Sequence, residues 1–438
     1  MYDVAVVKYE KPLESLRKAV DLAGGLGDVS RGSKVVIKPN LVAWLEGVEF
    51  LKYGVIATAR LIEDMVTLLK EQGAKDIAIA ESIIDVEKEN ESIFRLAVKG
   101  MGLDMLEEKY GVKLIDVQKG SFTKVTVGDV TLSVNTDILD ADYVVNMPVL
   151  KTHGQAVVSL GIKNLKGVLN ISSRKKCHNR NYNIDLDYHI SKLPQMIRTS
   201  LTVIDGIYTL EKGPLWGEAH RADIIIASKD LFSADKVGAT ILGIAPQNVP
   251  HLVMVAKSNG RPIDLNDINI RGETDIRTVT KPHEFAWPQN ESGDMPLVFE
   301  LMGIRGIRFP LLDNTLCTYC GYYGVFINMG ILAAKNRDKP FDDIEILTGK
   351  IQEPTPGHKH TLLFGQCQMK KNGKNPLINH CVEIKGCPPS KQGFFKAFEE
   401  LEIELPDDRM EWWKKVPEFF TRQYAGRQEF DPAFYRIQ

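Results

Sequence analysis

The sequence has few of the features that mark an extracellular or membrane protein. Only six of its 438 residues are cysteine, which is too few for a disulfide scaffold of this length. The longest apolar run, residues 322–334, is too short to span a bilayer and includes Asn328. The N-terminus has no cationic segment followed by an apolar one, so no signal peptide is expected. We therefore expect a soluble, cytoplasmic protein without a membrane partner.

The chain also lacks an excess of charge and the glycine-rich loops of nucleotide enzymes. The 55 Lys and Arg residues stand against 57 Asp and Glu, a net charge of −2, whereas a nucleic-acid binder would carry a concentrated basic surface. Neither G-x-x-x-x-G-K-[ST] nor a strand-borne G-x-G-x-x-G occurs. The sequence therefore argues against nucleic acid as a partner, and nothing in it demands ATP or NAD.

The first part of the chain alternates strand-like and helix-like segments. Residues 34–42 and 142–153 are rich in β-branched and apolar side chains and are predicted to form buried strands. Residues 58–73 have apolar positions at helical spacing and end in Gly73, which predicts a helix. Repeats of this kind predict an α/β fold over residues 1–250, with a mostly parallel sheet flanked by helices.

Two further segments follow this first domain. Residues 251–295 show weaker periodicity and more polar loop residues, and they are predicted to be a linker or an insertion. Residues 296–438 contain five of the six cysteines. They are predicted to form a smaller C-terminal α/β domain in which thiols follow the strands and hold a metal cluster.

Four of these cysteines have the pattern of metal ligands. Cys317 and Cys320 form C-x2-C at the start of a predicted helix, and Cys367 and Cys387 each end or follow a predicted strand. A four-cysteine zinc site usually has two short C-x2-C pairs, but this chain has one pair and two single residues. A cysteine followed by proline, as in Cys387-Pro388, is frequent in iron–sulfur proteins. The pattern therefore favours a 4Fe-4S cluster, with zinc as the alternative.

Other roles for the cysteines stay open at this stage. Cys367 and Cys387 could be buried core thiols without a metal. Cys381 lies six residues before Cys387 and could replace a ligand, although its place on the predicted strand favours a different direction. Cys177 lies among cations that would lower the pKa of its thiol, and an ordinary surface thiol is the prediction for it.

Polar side chains follow the predicted strands of the first domain, and the last of these strands is predicted at residues 222–230. In a parallel sheet such strand ends meet at one edge and form one cleft. Lysines among carboxylates and amides suit a small anion such as a carboxylate or phosphate, although any one of them could be a solvated surface residue. The residues predicted to bind this substrate are Lys38, Asn40, Lys151, Asn164, Lys166, Asp205 and Asp230. The predicted catalytic residues are Lys163, His153 and Glu81, of which the last two would move protons.

Several segments resemble a known family. VVIKPNLV, KTHGQAVVSLGIKNLKGVL, the strand LTVIDGI and the loop KGPLWGE together resemble the uncharacterised family called domain of unknown function 362. The resemblance extends over residues 30 to 245 approximately, and the Lys-Asn-x-Lys-Gly run is its most specific part. Members of that family are often linked to iron–sulfur domains, commonly ferredoxin-like ones, so the resemblance implies a cluster-bearing protein but no particular reaction. This chain lacks a C-x2-C-x2-C-x3-C-P run, so paired ferredoxin-type clusters are not expected.

Together these features predict an iron–sulfur oxidoreductase that acts on a small anionic metabolite. Because four cysteines fill every position of the cluster, electron transfer is favoured over Lewis-acid chemistry. One alternative is a non-catalytic electron-transfer or cluster-sensing protein. Another is a lyase or isomerase that uses the cluster as a Lewis acid or carries only a structural zinc. A redox partner protein and a second copy of the chain are the protein partners that this prediction allows.

Overall fold

A computed structural model of the protein describes residues 1–44, 51–83, 92–273 and 275–437. Within these residues, ten strands form one large sheet, a β-hairpin stands apart, and four strands form a second sheet. The strands are β1 (Tyr2–Lys8), β2 (Lys34–Pro39), β3 (Asp76–Glu81), β4 (Lys113–Asp116), β5 (Phe122–Val127), β6 (Val130–Asn135), β7 (Tyr143–Met147), β8 (Val149–His153), β9 (Val157–Val158), β10 (Leu201–Glu211), β11 (Glu218–Ser228), β12 (Ile268–Arg271), β13 (Ile307–Arg308), β14 (Ile344–Leu347), β15 (His360–Phe364) and β16 (His380–Ile384).

Helices cover both faces of the large sheet. Side chains that alternate along β2 face two cores, because Val35 and Ile37 belong to one buried cluster and Val36 to the other. No helix in the described part of the chain is long and apolar enough to cross a membrane. The helices are α1 (Glu14–Leu22), α2 (Ala59–Glu71), α3 (Ile93–Met101), α4 (Met105–Tyr110), α5 (Thr136–Leu139), α6 (Gly161–Asn164), α7 (Ile171–Lys176), α8 (Leu186–Ser191), α9 (Leu193–Met196), α10 (Leu231–Ile241), α11 (Pro250–Asn259), α12 (Ile276–Val279), α13 (Leu297–Leu301), α14 (Thr318–Ala333), α15 (Gly365–Asn372), α16 (Lys391–Glu400) and α17 (Arg409–Thr421).

The large sheet has the strand order β12-β1-β11-β10-β7-β2-β3-β4, with β8 beside β10 and β9 beside β8. Its strands are mostly parallel, and β11 and β9 run antiparallel to their neighbours. The mostly parallel sheet flanked by helices that the sequence predicted is therefore confirmed. The helix predicted at residues 58–73 is α2, and Gly73 follows it with a φ of +98°.

Two strands differ from their predicted form. The segment predicted as one strand at residues 142–153 is divided into β7 and β8 by Pro148, which has no N–H to offer a neighbouring strand. The strand predicted at residues 222–230 is β11, but it runs antiparallel to β10. The end of β11 therefore lies at the opposite edge of the sheet from the ends of β2, β3 and β10.

The second sheet has the order β13-β14-β15-β16 and is parallel throughout. It lies within the predicted C-terminal domain, residues 296–438. The segment predicted as a linker or an insertion, residues 251–295, contains α11 and also β12, which pairs with β1 at the edge of the large sheet. The end of the chain also returns to the first domain, because Ile437 N donates to the Met101 carbonyl at 3.0 Å.

The connections of the large sheet change direction at β2. From β2 the chain passes through α2 to β3 and β4 on one side, and it later returns to β7 on the other side. A switch point of this kind leaves a crevice outside the carboxyl ends of the two central strands, where ligands bind in open α/β sheets. Lys38 near the end of β2 is in register with Asn146 of β7, so polar residues of both strands meet at this crevice.

Candidate functional site

At the switch point, Lys38 of β2 and Glu81 of β3 form a buried ion pair. Lys38 Nζ lies 2.8 Å from Glu81 Oε2 and also donates to Asn164 Oδ1 at 2.7 Å. Glu81 accepts two further hydrogen bonds, from the backbone N–H groups of Leu41 and Ser82. Burial lowers the pKa of Lys38, and the Glu81 charge opposes this shift. Both oxygens of Glu81 thus accept hydrogen bonds, and its role in moving protons stays a prediction from the sequence.

Three asparagine side chains connect this ion pair to the next strands. Asn164 Oδ1 accepts from Asn40 Nδ2 at 3.0 Å, and Asn164 Nδ2 donates to Asn146 Oδ1 at 2.8 Å. Asn40 Oδ1 in turn accepts from Lys151 Nζ at 2.8 Å. Lys151 also donates to the Val55 carbonyl at 2.6 Å, and burial lowers its pKa to about 7. The predicted binding residues of this network are thus brought together, but they bond mostly to one another.

Lys163 and His153 differ from these residues, because each has a polar atom without a partner among the residues that the structure describes. His153 Nδ1 accepts the backbone N–H groups of Gln155 and Ala156 at 3.0 and 3.3 Å, which leaves the proton of the neutral ring on Nε2. Within the described residues, neither Lys163 Nζ nor His153 Nε2 makes a hydrogen bond. Burial lowers the pKa of both groups well below their usual values, and positive charges around them add to the shift. We refer to the group formed by Lys151, His153, Lys163 and Lys166, whose charges act on one another, as the lysine cleft.

Lys166 is the residue of the lysine cleft that lies next to the cysteines. Its Nζ is 2.8 Å from His178 Nε2 and donates to Thr318 Oγ1 at 3.2 Å. His178 Nδ1 lies 2.8 Å from the Asn314 carbonyl, so Nδ1 carries the ring proton and Nε2 accepts from Lys166. Burial lowers the pKa of Lys166 to about 8. His178 was not among the predicted site residues, because no strand end or motif spacing marks it in the sequence.

The four predicted cysteine ligands lie at the carboxyl end of the second sheet. Cys317 immediately precedes α14, and Cys320 lies in the first turn of that helix. Cys367 lies in the first turn of α15 rather than at the end of β15 as predicted, and Cys387 follows β16. Gly365, between β15 and Cys367, has a φ of +83°, and a Cβ atom there would lie 3.3 Å from Cys320 Sγ. Glycine therefore allows both the turn and the close approach to the thiol.

The four thiols act on one another electrostatically. Hydrogen bonds from the Cys320 thiol and from backbone N–H groups of α14 lower the pKa of Cys317. The same interaction with Cys317, together with burial, raises the pKa of Cys320, and Cys367 and Cys387 contribute further. Cys387 is exposed, and Lys175 Nζ lies 3.1 Å from its Sγ atom. Thiols gathered near a helix N-terminus and beside lysines form a donor set that suits an anionic cluster.

A single zinc ion and a four-iron cluster require different distances between the four sulfur atoms. Across the residues that the structure describes, no three His, Cys, Asp or Glu side chains are arranged to hold a single metal ion. A zinc ion with Zn–S bonds of about 2.3 Å holds its sulfurs within about 4 Å of one another. In a four-iron cluster each cysteine binds a different iron, so the sulfurs lie further apart. A zinc ion and a four-iron cluster therefore make different demands on the four thiols, and metal analysis distinguishes them.

The remaining two cysteines lie outside this set. Cys177 is fully buried, so the prediction of a surface thiol is wrong. Burial raises the pKa of Cys177 more than the nearby Lys166 and Arg174 lower it, contrary to the shift expected from its cationic sequence neighbours. Cys381 lies on β16, where the charged groups that act on its thiol include Glu383 but none of the four gathered cysteines.

Two predicted binding residues are engaged elsewhere. Asp205 Oδ2 accepts from the N–H and the hydroxyl of Thr58 at 2.7 and 2.8 Å, just before α2. Asp230 caps α10 by accepting from Ser233 N, and it also accepts from Arg261 Nη1 at 2.9 Å. Because Asp230 follows the antiparallel strand β11, it lies at the opposite edge of the sheet. The structure therefore does not bring Asp230 to the lysine cleft. Both oxygens of Asp205 already accept hydrogen bonds within the protein, Oδ2 from Thr58 and Oδ1 from Ile207 N.

Three comparisons with known proteins found partial similarities. The lactate racemase apoprotein from Thermoanaerobacterium thermosaccharolyticum matches with a TM-score of 0.36 and 11% identity, over 56% of this chain and 58% of that structure's length. A thylakoid-associated protein of Synechocystis sp. is 26% identical over 252 residues, which cover 54% of this chain and 72% of that protein. Residues 35–240 match the family model described as Domain of unknown function (DUF362), which confirms the predicted resemblance. This range contains the whole lysine cleft. It contains none of the four gathered cysteines.

Proposed function

We propose that the protein is an iron–sulfur oxidoreductase that acts on a small anionic metabolite. In this proposal Cys317, Cys320, Cys367 and Cys387 hold a 4Fe-4S cluster, and the lysine cleft binds the anion. A bound cluster would supply a redox centre whose potential depends on charge, hydrogen bonds to sulfur and exposure. The protein's own side chains would bind and orient the anion beside that centre.

The observation that carries this proposal is the contact between the lysine cleft and the cysteine turn. Lys166 Nζ donates to Thr318 Oγ1 at 3.2 Å, and Thr318 lies between Cys317 and Cys320 in the C-x2-C segment. A ligand bound to Lys166 would therefore lie within one side chain of the thiols. Such proximity is what electron transfer between a cluster and a bound substrate requires.

The free hydrogen-bond donors of the lysine cleft favour an anion as the ligand. An ammonium group has three N–H donors, and Lys166 uses two of them, on His178 and Thr318. Lys163 uses none within the described residues, and His153 Nε2–H is also without an acceptor. An anion would accept from these donors and restore the charge of lysines whose pKa burial has lowered.

Metal analysis of anaerobically purified protein tests the cluster. We expect about four iron and four sulfide per chain and broad visible absorbance, both of which Cys367→Ser should reduce strongly. Cys381→Ser is the matched control, because Cys381 is a thiol of the same sheet outside the four-thiol set, and it should keep the full iron content. Colourless protein with one zinc per chain would overturn the cluster and favour the lyase or isomerase alternative with a structural zinc.

The exposure of Cys387 favours one second candidate, an electron carrier without a substrate. A cluster held beside an exposed thiol would be reachable for a protein partner. A carrier would keep the same visible spectrum and redox midpoint when phosphate or small carboxylates are added. For the oxidoreductase we expect these anions to change the spectrum or the midpoint, and Lys166→Met to lose the response. Lys176→Met, at an exposed lysine of α7, should keep it.

A further inference from the structure

Lys163 stands apart from the other lysines of the lysine cleft. Lys151 and Lys166 both donate to acceptors of the protein. Lys163 Nζ makes no hydrogen bond within the described part of the chain. The residue as a whole is half-buried, and its amine group is buried. A buried ammonium without an acceptor is far more costly than a neutral amine in the same place.

The charges around this amine favour its neutral form. Lys166, Lys151 and Arg174 act on it as cations, and Asp187 is the one carboxylate among its strongest electrostatic neighbours in the described structure. The Asp187 carboxylate is engaged elsewhere, because its Oδ1 lies 2.8 Å from His251 Nδ1. Burial and the neighbouring cations together hold the pKa of the amine well below its usual range. Desolvation beside other cations is a known way to make a lysine amine nucleophilic.

His153 supplies the complementary group. Its Nδ1 atom accepts two backbone N–H groups, so within the described structure its Nε2–H is the ring group left free to donate to a ligand. A neutral imidazole donates a hydrogen bond through this N–H and keeps its proton, so it can polarise a carbonyl oxygen as an electrophile does. The sequence predicted a proton-moving role for His153, but this geometry favours hydrogen-bond donation.

We propose that Lys163 forms an imine with the carbonyl carbon of a small 2-oxo carboxylate. The Lys163 nitrogen adds to the carbonyl carbon, so that a C–N bond forms and the carbonyl oxygen becomes a hydroxyl. The hydroxyl then leaves as water, which carries away the two protons of the amine, and no redox equivalent is consumed. His153 Nε2–H donates to the carbonyl oxygen, and the remaining donor of Lys166 holds the carboxylate. The inference rests on the proposed anion cleft and names the class of its substrate.

Reductive trapping tests the imine on the full chain prepared anaerobically. Sodium cyanoborohydride reduces an imine to a stable secondary amine, so glyoxylate as the probe leaves a carboxymethyl group on the reacting lysine. Near pH 6, ordinary lysines with a pKa of about 10.4 are almost wholly protonated and react slowly. We expect Lys163 to be labelled at least about tenfold faster than Lys257, an exposed lysine of α11, as measured by peptide mass spectrometry. Lys163→Arg should lose the fast label, and Lys257→Arg should keep it.

Labelling of Lys163 at the rate of Lys257 in the native chain would overturn the imine, whether or not the Lys163→Arg variant folds. Iron analysis of the same sample separates this inference from the proposed function. Iron-loaded protein without fast labelling of Lys163 overturns the imine alone. Iron-free protein with fast labelling of Lys163 overturns the cluster and supports the imine.

Discussion

At the residue scale, Gly167 of the Lys-Asn-x-Lys-Gly run is a glycine because its backbone lies very close to a buried ion pair. Lys38 and Glu81 are almost wholly buried, and such charges are tolerated only when their pairing and hydrogen bonds are intact. A Cβ atom on Gly167 would lie 2.6 Å from Lys38 Nζ and 2.7 Å from Glu81 Oε1. Gly167 is therefore required for space at the switch point, since its backbone conformation is one that other residues adopt.

Gly167→Ala should destabilise the protein by about 1–3 kcal/mol, because the added methyl group forces the ion pair apart inside a packed site. Urea unfolding followed by circular dichroism measures this change. Gly32→Ala is the matched control, since no atom lies within 4 Å of a Cβ built at Gly32. We expect the control to change the free energy of unfolding by no more than about 0.5 kcal/mol. Equal stability of the two variants would show that the pair can move without cost.

At the element scale, the sequence predicts a helix or strand correctly where interactions between residues close in the chain determine it. The helix α2 follows from apolar spacing and from Gly73 at its end, and β2 follows from its apolar run. The direction of β11 depends on its pairing with β10, and no local sequence pattern reveals this pairing. The prediction that Asp230 lies at the edge of the cleft is therefore wrong. The position of Cys367 in a helix follows from a left-handed backbone at Gly365, which spacing alone does not reveal.

The start of α2 is held by a carboxylate from another element. Thr58 does not cap the helix with its own side chain, and its N–H and hydroxyl both donate to Asp205 of β10. Asp205→Ala leaves these buried donors unsatisfied, so we expect a loss of about 1–3 kcal/mol and faster hydrogen exchange in residues 59–65. Asp275→Ala removes a cap from the short, exposed α12 and serves as the control. Unchanged exchange in α2 would mean that its packing alone fixes the first turn.

At the scale of the whole molecule, two sheets are joined where the lysine cleft meets the cysteine turn. The sequence predicted the lysines and the thiols separately, because each follows from strand ends or spacing within its own domain. Their contact depends on side chains far apart in the chain, such as Lys166 and Thr318, and no local pattern encodes it. The same holds for the tail, where Phe430 packs against Tyr53 with ring centroids 5.0 Å apart.

The side chain of Gln155 connects the segment of His153 to the loop before the C-x2-C turn. Gln155 Nε2 donates to the Asp313 carbonyl at 2.6 Å and to the Leu316 carbonyl at 2.9 Å, while its backbone N–H donates to His153. Leu316 directly precedes Cys317, so this amide fixes the approach of the chain to the first thiol. In the proposed cluster-bearing protein, we expect opening of this loop to move Cys317 and to expose the cluster.

Gln155→Ala should therefore make the cluster more labile. Each lost hydrogen bond contributes about 1 kcal/mol, so two of them raise the population of the open loop by roughly thirtyfold. We expect the visible absorbance of the variant to decay in air up to roughly thirtyfold faster than that of the native protein. Gln195→Ala, at an exposed residue of α9, should decay at the native rate. Equal decay of both variants would show that the remaining contact between His178 and the Asn314 carbonyl is enough to hold the loop closed.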